Sequence, residues 1–122
     1  MIRGIFRRFL RSPSFINMVK SFMIEEGRER LLRKALEEFR DEVLKIKGVV
    51  GVIIPDEEFY ESNVLVILSK IDREILERIM KIKFLIEDRY KEEIMISPYI
   101  ALEGEDIVSK IEETSRGGYK RS

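Results

Sequence analysis

Residues Gly48 to Lys70 read GVVGVIIPDEEFYESNVLVILSK, and this stretch decides the fold. Val49-Val50-Gly51-Val52-Ile53-Ile54 is a near-continuous apolar run, and Val64-Leu65-Val66-Ile67-Leu68 is another. Runs of this kind suit strands covered on both faces better than half-exposed ones, so strands are expected over Gly48 to Ile54 and Asn63 to Ser69. Pro55 ends the first by removing a ladder donor. The connector between them is acidic, with Asp56, Glu57, Glu58 and Glu61 and no base. A pair of strands joined in this way commonly carries chemistry at the connector and on the first residues of the second strand. Those residues are Ser62-Asn63-Val64-Leu65-Val66, without a carboxylate, histidine or cysteine.

Upstream, Leu32, Leu36, Phe39, Val43 and Ile46 recur at spacings of three and four, the stripe of a helix able to cover a sheet. The spacing predicts a helix from Ser14 or Ser21 to Lys47, with a break near Gly27 and a stop at Gly48. Downstream, Ser69 and Asp72 are candidate caps for a second helix. Its buried stripe is expected to be Ile75, Ile79, Ile82 and Ile86, widened by Leu76, Met80 and Leu85. Met80 and Phe84 could line a ligand pocket, but at helical spacing they read as core. A third strand is expected over Ile94 to Ser97, extending into Tyr99 to Leu102, with Pro98 placing it at an edge or bending it. Glu103, Glu105 and Asp106 suit the positive end of a last helix carrying Ile107, Val108 and Ile111. Gly117-Gly118 then releases a basic tail. The expected class is therefore α/β (α+β), a small mixed sheet of three to four strands covered by helices. A ferredoxin-like or other small α/β sandwich fits the same element order.

Composition narrows the chemistry. The chain has 122 residues, 44% of them hydrophobic, enough for one domain with a core. There is no Cys and no His, which removes thiol nucleophiles, imidazole bases and structural zinc and leaves carboxylates and hydroxyls as candidate groups. Any metal would be a hard cation held by oxygen. Charged residues make up 38%, Gln is absent and Asn occurs only at Asn17 and Asn63, a balance like that of thermophile proteins. No apolar run approaches membrane-spanning length and the start lacks a secretory signal, so a cytoplasmic protein is expected.

Lys plus Arg and Asp plus Glu each number 23, yet the charge is unevenly distributed. Residues 1–24 form a basic and apolar segment, expected to be helical, ahead of a single α/β domain over 25–122. Arg3, Arg7, Arg8 and Arg11 lie on one side of it and Ile2, Ile5, Phe6, Phe9 and Leu10 on the other. Such a head could contact RNA, anionic lipid or an acidic partner, or dock on its own domain or a second copy. The acidic connector is the best concentration of oxygen ligands, making Asp56, Glu57 and Glu58 the candidate metal residues. Like charges on a connector are also what a solvated surface looks like.

The succession of charged helix, apolar strand, connector, second strand after Ser62, long helix and Ile96-Ser97-Pro98-Tyr99-Ile100-Ala101-Leu102-Glu103-Gly104-Glu105-Asp106 resembles the minimal nucleotidyltransferases of the polymerase-beta-like superfamily, over roughly residues 28–118. Active members follow the first strand with a phosphate-holding Gly-Ser turn and open the second with Ser-Asp-x-Asp, which binds two magnesium ions. Here Ile54-Pro55-Asp56 stands in place of Gly-Ser, and Asn63 and Leu65 stand in place of the two aspartates. A third acid is matched by Glu93. Two carboxylates on alternate residues of one strand face the same side, which is how they share metal ions; Asn63 is a poor magnesium ligand alone and Leu65 is none. The resemblance thus implies a degenerate, non-catalytic member with no cofactor. The expected role is an interaction or assembly module, homo-oligomeric or bound to a protein partner. Apolar Phe15 to Ile24, which needs covering, adds to that expectation. The alternatives are an accessory protein binding nucleic acid through its basic termini, and a magnesium-dependent nucleotidyltransferase with atypical ligands.

Overall fold

The computed structural model describes residues 13–114 and 118–120. The chain falls into two units, Met1–Leu31 and Leu32–Ser122, each considered by itself. The expected helix over the first residues lies outside the described ones. Helix α1, Pro13–Val43, contributes to both units. Proline suits its first turn, where a missing N–H leaves no bond unmade. The expected break near Gly27 does not occur. A Cβ there would meet nothing within 4 Å, and the cost of glycine in an exposed helix, about 1 kcal/mol, is too small to open the ladder. In the first unit Met18, Met23 and Ile24 are exposed.

In the second unit α1 ends at Val43 rather than at Lys47. The Leu44 N–H still reaches the Arg40 carbonyl at 2.9 Å, after which tighter turns bring Ile46 N–H to the Val43 carbonyl at 3.0 Å. That tightening keeps Ile46 inward, so the apolar spacing outlasts the helix. Gly48 then turns the chain at φ +101°, where a Cβ would lie 2.5 Å from the Ile75 Cδ1.

Strands β1 (Val49–Ile53) and β2 (Val64–Leu68) pair antiparallel, with a register shift between Val49 and Gly51. Helix α2, Arg73–Arg89, follows, capped by Asp72, whose carboxylate accepts from the Glu74 and Ile75 N–H groups. It carries the chain over to β3, Pro98–Leu102, which lies parallel to β2. The third strand therefore begins at Pro98, and Ile94 to Ser97 are not strand, contrary to the sequence expectation. Pro98 occupies the first position of an edge strand, where its missing donor is tolerated. Helix α3, Asp106–Thr114, comes next. The released tail is instead a short strand, β4 (Gly118–Lys120), antiparallel to β1, so the sheet order is β3-β2-β1-β4. Three polar or glycine residues carry no apolar alternation, and only the open edge of β1 gives them a partner. The class is α+β: a small mixed sheet with helices packed against it.

Every residue of β2 is buried, as its unbroken apolar run implies. Leu65 and Ile67 face one side, with Ile53, Ala101 and the α3 residues Val108 and Ile111 in one core cluster. Strand alternation sends Val64, Val66 and Leu68 to the other side. The buried residues of α1 (Ala35, Leu36, Phe39 and Val43) and of α2 (Ile75, Ile79 and Ile86) cover that side. At its far end α2 is tied to α1: Glu38 accepts from the Tyr90 hydroxyl at 2.9 Å and from Arg89 at 3.4 Å.

Candidate functional site

The strand end that the resemblance nominates is filled by structural contacts. Asn63 immediately precedes β2, half-buried. Its Nδ2 donates to the Met95 carbonyl at 2.7 Å, and its Oδ1 accepts from the Ser97 N–H at 2.8 Å. With the Asn63 N–H donating to the Ser97 carbonyl at 3.0 Å, side chain and backbone together hold the segment before β3 against β2. The work of extending the sheet is thus done by an amide side chain, where ladder bonds would otherwise run. Leu65 is wholly buried in the core cluster under α3. Pro55 is half-buried just past β1, and Glu93 is exposed and outside any strand. These residues do not fit the pair of divalent ions that active members of the resembled superfamily bind: one position has no ligand atom and the other has both side-chain polar atoms engaged.

The acidic connector is more ordered than its composition suggests. Phe59 and Ser62 exchange backbone bonds at 3.0 and 2.8 Å, closing a two-residue turn with Tyr60 and Glu61 at φ 47° and 62°. Positive φ at both central residues is the geometry of a type I′ hairpin turn. Phe59 packs on the core cluster, and its ring lies 5.6 Å from that of Tyr99 on β3. Asp56, Glu57 and Glu58 are exposed. Among the described residues no group of three or more carboxylates is placed to hold a metal ion. Arg3, Arg7, Arg8 and Arg11 lie outside the described residues.

A second feature was not anticipated. Met80, Phe84 and Leu85, expected to be core, are 40%, 58% and 64% exposed, and Met95 in the loop before β3 is 69% exposed. The sheet is covered by Ile75, Ile79 and Ile86, which occupy one side of α2; Met80 lies one residue past Ile79, about 100° round the helix, and Phe84 two residues before Ile86, about 200° round, so both turn away from the sheet. The signal was present in the sequence, since apolar residues occupy more of the helix circumference than one sheet can cover. Arg73, Leu76, Glu77, Met80, Lys81 and Phe84 line a shallow groove along this outer face. A wider groove continues between α2 and the loop, past Phe84, Leu85, Ile94 and Met95.

The floor of that wider groove is fixed by one carboxylate. Glu87 accepts from Lys83 Nζ at 2.7 Å through Oε1 and from the Ile96 N–H at 3.0 Å through Oε2. Both charged side chains are largely enclosed, at 16% and 13% exposure. The lysine also sits 4.7 Å from the centre of the Phe84 ring, a cation–π arrangement that holds this aromatic on the surface. Nearby, burial, the hydrogen bond to Glu38 and that carboxylate's charge raise the Tyr90 phenol above its ordinary value, with Arg89 opposing.

Comparisons with protein-family models, with curated proteins and with solved structures return no match for this chain. No helix among the described residues is long and apolar enough to cross a membrane.

Proposed function

We propose that this chain is a non-catalytic interaction module on a nucleotidyltransferase-like scaffold, and that it associates with itself. The observation that carries the reading is the apolar outer face of α2, where Met80, Phe84 and Leu85 are 40–64% exposed beside the equally open Met95. Scattered exposed apolar residues need no explanation, but a contiguous group with charged neighbours is the usual form of an interaction surface. The scaffold part rests on element order and on the Ser97-Pro98 approach to β3. The non-catalytic part is supported by Leu65, enclosed in the core, and by Asn63, whose amide is spent on the backbone at Met95 and Ser97.

Light scattering on the size-separated full chain tests the reading. The expected mass exceeds one chain at micromolar concentration and falls on dilution; one chain's mass throughout would refute self-association. Calorimetric titration with magnesium and ATP is expected to show no heat, and transfer of a labelled nucleotide would refute the non-catalytic part.

A further inference from the structure

We infer that two copies of this chain pair through the outer face of α2, with the two helices antiparallel about a two-fold axis near Met80. This rests on the self-association reading above and adds the surface and its geometry. With Ile75, Ile79 and Ile86 turned to the sheet, the helical repeat places Arg73, Glu77, Met80, Lys81, Phe84 and Asp88 on the opposite side, all of them exposed.

The order of charge along this face identifies the occupant. Arg73, Glu77, Lys81 and Asp88 read plus, minus, plus, minus from one end of the helix to the other. Read backwards, the sequence is its own complement. An antiparallel second copy therefore brings Arg73 against the partner's Asp88 and Glu77 against the partner's Lys81, each contact made twice by symmetry. A parallel arrangement would set like charges side by side. Between the ion pairs, Met80 meets its own symmetry mate and Phe84 lies over the partner's Leu76 and Glu77. The axis positions implied by the two ion pairs differ by less than one helical turn, within reach of long side chains.

Pairing exchanges a single ion pair recorded on this face. Arg73 and Glu77 are now 3.2 Å apart within the chain, but at 93% and 60% exposure such a pair holds little energy and can be exchanged for an intermolecular one. The exposed parts of Met80 and Phe84 amount to on the order of 200 Å² per copy at the centre of this face, about a quarter of what a standard interface takes from each partner, with Leu76 and the long charged side chains around them supplying the remainder.

Equilibrium ultracentrifugation of the full chain and five further preparations provides the test, with circular dichroism confirming the fold. Phe84→Glu is expected to weaken dimerisation roughly 100-fold, because it places a carboxylate in the apolar centre twice over. Glu77→Lys and Lys81→Glu are each expected to weaken it roughly 10-fold by making like-charge contacts. Mixing those two variants, or combining both changes in one chain, is expected to restore association. If the native chain dimerises and Phe84→Glu leaves the dimer intact, this surface is refuted while self-association stands. If Phe84→Glu disrupts the dimer but the mixture gains nothing over its components, the antiparallel register is refuted. A monomeric native chain refutes both this inference and the reading beneath it.

Discussion

Replacing Asn63 with aspartate, which would put a metal-binding carboxylate at the start of β2, is expected to harm this protein. The new carboxylate keeps an acceptor for the Ser97 N–H, now bonded at 2.8 Å. Its other oxygen, however, takes the place of a donor 2.7 Å from the Met95 carbonyl. One hydrogen bond is lost, the carbonyl is left without that partner, and two oxygens face each other; together these cost about 2–3 kcal/mol at neutral pH. For a chain of 122 residues that corresponds to a fall in Tm of roughly 6–15 °C. The penalty should depend on pH. Because the carbonyl disfavours the charged form, the folded state raises the new carboxyl's proton affinity above its unfolded value of about 4. The protonated acid can donate to Met95, so the penalty is small below that pH and grows as pH rises through the folded value. Urea unfolding of the native chain, Asn63→Asp and Asn63→Ala, compared at matched pH, reads this directly. Asn63→Ala should lose about 2 kcal/mol with no added pH dependence. An aspartate variant as stable as the native chain at neutral pH, or further stabilised by magnesium, would refute the view of Asn63 as a structural clamp.

Glu87→Ala should cost about 2–4 kcal/mol in chemical denaturation, since it strips an enclosed lysine and the Ile96 N–H of their acceptor; a cost near zero would mean that Lys83 simply reaches solvent. Gly48→Ala should cost about 2–3 kcal/mol, combining a left-handed backbone at φ +101° with displacement of the Ile75 side chain, and Tm by calorimetry should fall accordingly. For Tyr90, whose phenol is raised above its ordinary value of 10.0, the folded state favours the protonated form. Its contribution is complete below that value and is lost as pH rises through the folded one, so the stability difference between the native chain and Tyr90→Phe should shrink in alkaline denaturation series.

Much of the architecture was legible because it depends on local pattern. Two unbroken apolar runs marked β1 and β2, and Asp72, followed by Glu74 and the isoleucine stripe, marked the start and inner face of α2. What was misread shares a different cause. Ile46 keeps helical spacing after the helix has ended, because a tight turn returns it to the core. Met80 and Phe84 look like core from spacing, and only the position of the sheet shows which arc of α2 is covered. The polar β4 is a strand only because β1 has a free edge beside it.

The candidate site divides in the same way. Sequence alone determined that Pro55 stands where the resemblance looks for a phosphate turn, that Asn63 and Leu65 stand where it looks for two metal-binding aspartates, and that the chain holds neither imidazole nor thiol. Only the tertiary structure decided that Asn63 binds the chain 32 and 34 residues further on, that Leu65 is enclosed beneath α3, and that the described residues leave an apolar face of α2 uncovered. The physical reason is that residue type and spacing are properties of the chain, whereas a hydrogen-bond partner and a covered surface exist only once distant segments have been brought together.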